Sequence, residues 1–162
     1  MNEEQFEQCV HAFSDGLYRF ALKNLKDTDE AKEIVQLSFE KLWLHRNGVD
    51  TEKSKSYLFT VAYHLMVDHW RKNKKMMTIT DETAMNQVAP STEYSGLKEV
   101  LSKAVAILPE IQRTVILLRD YEGYTYEEIG SITGLNASQV KVYIFRARQS
   151  LKNHLGSMEA LL

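Results

Sequence analysis

The last third of the chain carries side chains that could bind a polyanion. Residues 139–155 contain Lys141, Arg146, Arg148 and Lys152 but no acidic residue. Lysine and arginine at helical spacing bind phosphate groups, and a basic stripe of this kind is the electrostatic footprint of nucleic-acid binding. The whole chain has a formal net charge of −2, so the stripe does not reflect a generally basic composition. It predicts a local contact with a polyanion.

A second cation-rich segment lies earlier in the chain. Residues 53–75 hold six basic residues and one acidic residue, a net charge of +5. The flanking segments are acidic, with net charges of −5 over residues 1–52 and −3 over residues 76–96. Residues 97–162 carry a net charge of +1. Two separated positive segments in an otherwise acidic chain predict two contacts with the same polyanion.

His64, Asp68 and His69 are the residues that most resemble a metal-ligand cluster. His64 and Asp68 are one helical turn apart, but His69 is rotated by about 100° from Asp68. Ligands must converge on an ion, so we expect no metal here and expect Asp68 to orient neighbouring basic side chains. A lone Cys9 forms neither an intramolecular disulfide nor a Cys-based zinc site. The sequence shows no glycine-rich phosphate loop and no nucleophile elbow, so we expect no cofactor and no catalysis.

Helical periodicity dominates the segments that must position these side chains. Apolar residues recur at three- and four-residue spacing over residues 4–25, 27–43 and 55–75, the pattern of amphipathic helices. Asp27 or Thr28 can cap the second of these helices. The chain is therefore predicted to be all-α.

The helical pattern divides the chain into two predicted domains. The first is a helical bundle over residues 1–75. Residues 76–96 lose the periodicity, are rich in Thr and Ser, and contain Pro90 and Gly96, so we interpret them as a flexible linker. Helices resume over residues 97–162, which form the second domain.

The second domain ends in a predicted helix-turn-helix. Thr125 followed by Glu128 is a capping box, in which each side chain accepts from the other residue's backbone amide. Asn136 followed by Gln139 repeats this pattern at the start of the next helix. Between the helices, Gly134 is the residue best able to adopt the positive φ of a tight turn.

The two helices of this motif have an apolar side and a basic side. The residues expected to pack together are Ile129, Ile132, Leu135, Val140 and Ile144. The residues expected on the exposed side are Ser138, Gln139, Lys141, Val142, Phe145, Arg146 and Arg148. A helix of this kind fits the DNA major groove with its first turns at the base edges. From these residues alone, an amphipathic helix hairpin with a solvated basic face stays open as the alternative.

Three stretches, in this order and spacing, resemble the extracytoplasmic-function (ECF) family of bacterial RNA polymerase sigma factors. The stretch DTDEAKEIVQLSFEKLW resembles the family's core-polymerase-binding helix, and YLFTVAYHLMVDHWRKNKK resembles the helix that reads and melts the −10 element. The segment from LPEIQRTVILL to FRARQSLK resembles the domain that binds the −35 element. The resemblance covers about Phe6 to Leu155. It implies that residues 1–75 are sigma region 2 and residues 97–162 are sigma region 4.

The resemblance implies a non-catalytic subunit that directs core RNA polymerase to promoters. Region 2 would dock on the clamp helices of the β′ subunit and region 4 on the β flap, with the linker running toward the RNA exit channel. The implied core-binding residues are Asp27, Glu30, Glu33, Gln36, Leu37 and Glu40. The family also implies a cognate anti-sigma factor as a partner.

Promoter DNA would be contacted at two places. Flipped bases need aromatic surfaces and edge hydrogen bonds, and phosphates need cations. For the −10 element, the implied residues are Lys53, Lys55, Tyr63, His64, Arg71, Lys72, Lys74 and Lys75, with Thr60 on the same helix. For the −35 element, they are Arg119, Thr125, Gln139, Lys141, Val142, Phe145, Arg146 and Arg148. Arg119 and Thr125 fall where the family grips the DNA backbone.

Several positions depart from the family pattern. His64 stands where many members have Asn, a position that contributes to −10 recognition. Leu37 takes the site of a usual Glu in the core-binding helix. In the recognition helix, Gln139 replaces a frequent Thr, and Val142 and Tyr143 stand where small or basic residues are usual. Promoter preference therefore cannot be transferred from relatives.

Location and rival functions follow from the same residues. No apolar run reaches the roughly 18 residues of a membrane span, and the polar, acidic N-terminus is not a secretory signal. We therefore expect a cytoplasmic protein without direct membrane insertion. One rival is a dimeric transcriptional regulator that uses the helix-turn-helix without polymerase, which leaves the first basic segment without a role. Another is a helical adaptor that binds only proteins.

Overall fold

The computed structural model describes the backbone of residues 1–79 and 96–161, and the side chains of residues 1–76 and 96–156. The regular structure of these residues is helical and includes no strand, which confirms the predicted all-α fold. They form two compact units, the first within residues 1–79 and the second within residues 96–161. None of the helices in these ranges contains an apolar stretch of the length that a membrane span requires.

Three long helices build the first unit: α1 (Glu3–Leu25), α2 (Thr28–Leu44) and α3 (Ser54–Ile79). Two short 3-10 turns, Arg46–Gly48 and Thr51–Lys53, connect α2 to α3. Asp27 is the N-cap of α2, because its carboxylate accepts hydrogen bonds from the backbone amides two and three residues further on, at 2.9 and 3.0 Å. This satisfies donors that the first helical turn leaves unpaired.

The apolar sides of α1, α2 and α3 meet in one core. Its largest fully buried side chains are Leu17, Phe20, Leu42, Leu58, Phe59 and Met66. The rings of Phe20 and Phe59 lie 5.2 Å apart and join α1 to α3. A polar link joins the same helices, since the buried thiol of Cys9 donates to the hydroxyl of Ser54 at 3.2 Å. The three helices predicted from the apolar spacing therefore pack together into one bundle.

The second unit contains four helices: α4 (Leu97–Ala106), α5 (Glu110–Ile116), α6 (Tyr126–Thr133) and α7 (Ala137–Leu161). A π-helical turn, Leu117–Tyr121, extends α5 and ends before Gly123, whose φ is +75°. All side chains from Arg113 to Leu118 are buried. Helix α5 packs mainly against α7, which also contacts α4 and α6, so these buried side chains form part of the core of the unit.

Arg113 is a buried cation within this core. Its Nη1 donates to the carbonyls of Ala106 at 3.3 Å and Leu108 at 3.1 Å, at the end of α4. Burial lowers the pKa of the guanidinium, and the carbonyl acceptors offset part of the cost of removing it from water. This side chain fastens the end of α4 to α5.

Helix α3 ends later than the sequence pattern predicted. It continues beyond Lys75 to Ile79, so the first residues assigned to the linker are helical. Residues 71–76 are exposed, and a helix whose side chains are solvated does not need an apolar stripe, so periodicity is a poor guide to where such a helix ends. Gly96, at the other end of the predicted linker, precedes α4 as its N-cap. The remainder of that segment, residues 80–95, lies outside the described residues, and the domain limits stay a prediction.

Candidate nucleic-acid and polymerase interfaces

Both capping boxes of the helix-turn-helix are formed as predicted. At the start of α6, the amide of Glu128 donates to the Thr125 hydroxyl at 3.1 Å and the amide of Thr125 donates to the Glu128 carboxylate at 2.8 Å. At the start of α7, the amide of Gln139 donates to Asn136 at 2.8 Å and the amide of Asn136 donates to Oε1 of Gln139 at 2.9 Å. The first turn of each helix is thereby fixed by side chains only three residues away.

The turn between α6 and α7 is held by two glycines with different roles. Gly134 adopts a φ of +82°, which confirms its predicted place in the left-handed region, where side chains are disfavoured. Gly130 allows close approach, because a Cβ there would lie 2.8 Å from the carbonyl oxygen of Leu135. Ile129, Ile132, Val140 and Ile144 are buried as predicted, and Leu135 is half-buried. The angle between the two helices therefore depends on a close contact at residue 130.

Arg119 braces the start of the motif. Its Nη1 donates to the carbonyl of Tyr124 at 2.9 Å, and its guanidinium lies 5.0 Å from the centre of the Tyr126 ring. Arg119 is half-buried, whereas Thr125 is exposed. Both residues predicted to grip the DNA backbone thus already serve the local fold.

The recognition helix α7 presents the predicted side chains to solvent. The exposed ones are Ser138, Gln139, Lys141, Val142, Phe145, Arg146 and Arg148. Arg148 differs from the other cations, since its Nη2 lies 2.8 Å from Oδ1 of Asp120. This hydrogen bond raises the pKa of Arg148. Lys141, Arg146 and Lys152 form no ion pair within the described part of the chain, so they are the cations of this helix best placed to meet an outside partner.

Helix α3 exposes the second cationic surface. His64, Arg71, Lys72, Lys74 and Lys75 are exposed. The ring of His64 lies 5.8 Å from the half-buried ring of Tyr63, so two planar surfaces sit side by side. The hydroxyl of Thr60 donates to the Ser56 carbonyl at 2.8 Å. Thr60 is half-buried, as Tyr63 is, so this side of α3 is less exposed than a solvent-facing DNA surface would require.

The two lysines before and within the first turn of α3 differ in environment. Lys53 is exposed in the 3-10 turn that precedes the helix. Lys55 is half-buried, and its ammonium lies 6.0 Å from the centre of the Phe59 ring. Lys53 is therefore the more accessible of the two.

The histidines and acids of α3 are engaged within the unit instead of forming a cluster. Nε2 of His69 lies 2.9 Å from Oε2 of Glu30, which joins α3 to α2. Burial raises the pKa of Glu30, an effect that the nearby His69 opposes. Asp68 lies 3.4 Å from Nη1 of Arg71, in agreement with its predicted role of orienting a basic neighbour. Among the described residues, no three His, Cys, Asp or Glu side chains are placed to hold a metal ion.

The predicted core-binding residues on α2 divide into two groups. Asp27 and Glu30 have internal roles, as the helix cap and as the partner of His69. The others are Glu33, Gln36, Leu37 and Glu40, which lie on one side of the helix because positions 33, 36, 37 and 40 are related by steps of three or four. All but the half-buried Leu37 are exposed. A continuous face of α2 is therefore presented to solvent.

This face continues into a groove that sequence reasoning missed. The groove has a volume of 680 Å³ and is lined by Glu3, Phe6, Glu7, Gln36, Phe39, Glu40, Trp43 and Leu44. Phe6 of α1 packs edge-on against Trp43 at 4.9 Å and against Phe39 at 6.2 Å. Leu44 is 74% exposed. The groove forms only where the start of α1 lies against the end of α2, so the amphipathic pattern of either helix alone does not predict it.

The two units match two families of known proteins. Residues 9–76 match Sigma-70 region 2, and residues 98–151 match Sigma-70 region 4. The ECF RNA polymerase sigma factor SigM of Bacillus subtilis is 31% identical over 150 residues, which cover 90% of this chain and 92% of SigM.

The chain belongs to the ECF family of RNA polymerase sigma factors. RNA polymerase sigma factor SigV of Bacillus subtilis is also 31% identical, over 148 residues that cover 91% of this chain and 89% of SigV. The structure of the sigma factor RpoE of Bartonella quintana, solved in complex with the anti-sigma factor NepR, matches with a TM-score of 0.82. It is 26% identical, and the match covers 94% of this chain and 98% of RpoE. The resemblance inferred from the three motifs is thereby confirmed.

Membership in the ECF sigma family establishes the class of activity of this chain. It does not assign a role to each exposed side chain. ECF sigma factors are transcription initiation factors that bind RNA polymerase and act at promoters. The first unit contains region 2 with the cations of α3, and the second contains region 4 with those of α7. The assignment of each side chain to the −10 element, to the −35 element or to core polymerase stays a prediction.

Proposed function

We propose that this chain directs core RNA polymerase to promoters by reading a −35 element with α7 and a −10 element with α3, and that it helps to melt the DNA. The observation that carries the proposal is the presence, in one ECF sigma chain, of two separate helices that each expose several cations. Each lies beside a surface suited to bases: the rings of Tyr63 and His64 on α3, and the first turns of α7.

At the −35 element, the most direct contacts are assigned to Lys141, Val142, Phe145 and Arg146. All four are exposed on α7, and Arg146 carries donors that can bind a guanine edge or a phosphate. Arg119 and Thr125 would reach the DNA backbone. Arg148 is given a weaker role, because its pairing with Asp120 must be broken or shared before it can contact a phosphate.

At the −10 element, α3 would offer stacking surfaces followed by cations. His64 and Tyr63 would support unstacked bases, and the cluster Arg71, Lys72, Lys74 and Lys75 would hold the strand through its phosphates. Lys53 and Lys55 would contact the backbone from the other end of the helix. Melting would follow because unpaired bases gain contacts on this surface that paired bases cannot make.

Core polymerase would dock on the exposed face of α2. Glu33, Gln36, Leu37 and Glu40 are proposed to contact the β′ clamp helices, and the aromatic groove beside them would widen that surface. The second unit would lie on the β flap, and the segment between the units would run toward the RNA exit channel. Catalysis would belong to the polymerase, so this chain would need no cofactor. It would work in the cytoplasm, where the polymerase acts, without entering a membrane.

A cognate anti-sigma factor is proposed as a further partner. RpoE of Bartonella quintana was solved bound to the anti-sigma factor NepR, and the match spans nearly all of both sigma chains. A protein that covers α2 or α7 would compete with polymerase or promoter DNA for the same exposed side chains.

Transcription of genomic DNA from the source organism tests the proposal. Core RNA polymerase with and without the full chain is supplied with genomic fragments, and transcript 5′ ends are mapped. We expect new start sites only when both components are present, with shared sequence motifs upstream. Association of the chain with core is measured in parallel by gel filtration.

The rival functions give different results in the same experiment. A dimeric regulator would select genomic fragments without core and would not associate with it. An adaptor that binds only proteins would neither select fragments nor create start sites. Absence of both core binding and new start sites would refute the sigma function, whatever the affinity of the chain for DNA.

A further inference from the structure

The recognition helix carries an exposed apolar strip among its cations. The side chain of Phe145 is 68% exposed and that of Val142 is 42% exposed. Residues three apart on a helix lie on the same face, so the two side chains form one strip on α7. Together with Tyr126 of α6 and its neighbours on α7, they line a groove of 560 Å³ whose cations are Lys141, Arg148 and Lys152.

The polar residues at the start of α7 are partly committed to the fold. A bidentate contact from glutamine to adenine uses both the amide oxygen and the amide nitrogen. In Gln139, the oxygen already accepts a hydrogen bond from the amide of Asn136. Asn136 likewise uses its oxygen to accept from the amide of Gln139. A bidentate adenine contact by Gln139 would have to share that oxygen, so side chains further along the helix are also needed to read base edges.

The surroundings of the strip define what can cover it. Cations on both sides of Val142 and Phe145 favour a polyanion and disfavour a basic partner. In the major groove, thymine is the base that presents an apolar group, its C5-methyl, and apolar side chains contact that group. DNA, a polyanion that presents thymine methyl groups in its major groove, matches both the positive charge and the exposed apolar area of this strip.

We propose that Val142 and Phe145 read thymine C5-methyl groups in the −35 element. This inference rests on the proposed function and adds which base the helix selects and by which atoms. Lys141 and Arg146 hold the phosphates or guanine edges at the rim, and the apolar strip selects thymine over cytosine and over uracil. Uracil differs from thymine only by that methyl, so it isolates the contact.

The test uses the full chain assembled with core RNA polymerase. A pool of duplexes randomised across both promoter elements is amplified either with dTTP or with dUTP, and bound duplexes are recovered and sequenced. We expect thymine to be enriched at one or more positions of the upstream element, and uracil to be enriched much less at the same positions. A recovered site is then rebuilt with single thymine-to-uracil changes in the upstream element. Each methyl that contacts the strip should contribute about fourfold in affinity.

Variants assign the effect to the strip. The double variant Val142→Ala, Phe145→Ala should bind thymine and uracil duplexes equally while it keeps the salt dependence of binding. Ile107→Ala is the matched control, since Ile107 is also 68% exposed and lies in the same unit. This control should discriminate between the two bases as the unmodified chain does.

The outcomes separate the inference from the function on which it depends. An upstream motif that is equally strong in both pools, or discrimination that survives in the double variant, overturns methyl reading and leaves promoter recognition intact. Failure to recover any upstream motif with the assembled enzyme overturns the proposed function itself. Preference at the downstream element serves as an internal reference, because neither alanine substitution lies in the first unit.

Discussion

Two glycine substitutions in the second unit should have opposite effects on stability. Gly130 lies in α6 and Gly156 in α7. A Cβ at residue 130 would lie 2.8 Å from the carbonyl oxygen of Leu135, whereas a Cβ at residue 156 would have nothing within 4 Å. Alanine is favoured over glycine inside a helix by about 0.8–1 kcal/mol, and this gain applies to both positions. The difference between the two variants therefore reports the contact at Leu135.

The expected magnitude follows from the size of the clash. Ordinary contacts begin at 3.4 Å, so Gly130→Ala leaves a shortfall of about 0.6 Å against backbone that cannot rotate away. Overpacking of this kind costs about 1–3 kcal/mol. Gly156→Ala should stabilise the unit by up to about 1 kcal/mol, less if the helix end frays. Gly130→Ala should therefore be less stable than Gly156→Ala by about 1–3 kcal/mol.

Denaturant unfolding of the full chain can measure this difference. Both tryptophans, Trp43 and Trp70, lie in the first unit, so their fluorescence follows that unit, while far-UV circular dichroism follows both. The variants should shift the dichroism transition and leave the tryptophan transition unchanged. Equal stability of the two variants would refute the close contact. A shift in the tryptophan signal would show instead that the substitution acts beyond its own unit.

Three further predictions concern charge. Arg146→Ala should weaken binding to a −35 site by about 1–3 kcal/mol. Arg148→Ala should have a smaller effect, because that guanidinium is paired with Asp120. Filter binding with the assembled polymerase compares the two variants, and an equal loss of affinity would contradict the distinction. Neutralising Lys72, Lys74 and Lys75 together should lower the log–log salt slope of open-complex formation by up to about 2.1, since each phosphate contact to a single strand adds about 0.7. An unchanged slope with a lower unfolding temperature would make these lysines structural. Folding raises the pKa of Glu30, so the stability that Glu30 contributes is fully present below about pH 4.5 and is lost as the pH rises through the raised pKa. On acidification from neutral pH, the unmodified chain should therefore gain unfolding free energy relative to Glu30→Gln. Parallel plots of unfolding free energy against pH for the two chains would contradict this.

Features that depend on neighbouring residues were predictable from the sequence. The capping boxes at Thr125 and Asn136 and the positive φ of Gly134 involve partners within a few residues. Such interactions are specified by residue type and spacing alone. The helical periods likewise follow from apolar spacing, which explains why the all-α fold and the buried side of the helix-turn-helix were predicted.

Features that depend on distant residues were not predictable. His69 of α3 pairs with Glu30 of α2, and Arg148 donates a hydrogen bond to Asp120, which lies 28 positions earlier in the sequence. Nothing in the local pattern distinguishes Arg148 from Arg146, yet one is paired and the other is not. Tertiary packing decides which cationic side chains are already paired within the protein and which can bind a partner. The sequence therefore predicted a basic surface but not which of its cations are available for binding.

The π-helical turn at Leu117–Tyr121 has a consequence for how this chain relates to others of its family. A π turn holds one residue more than an α turn, as the hydrogen bond from the amide of Glu122 to the carbonyl of Leu117 reflects. It is therefore equivalent to a single-residue insertion that the helix absorbs without breaking. A relative that lacks this residue would keep its helix, but the side chains that follow the missing residue within the helix would be rotated by about 100° about its axis. Arg119 would then point away from Tyr126 and would no longer brace the start of α6.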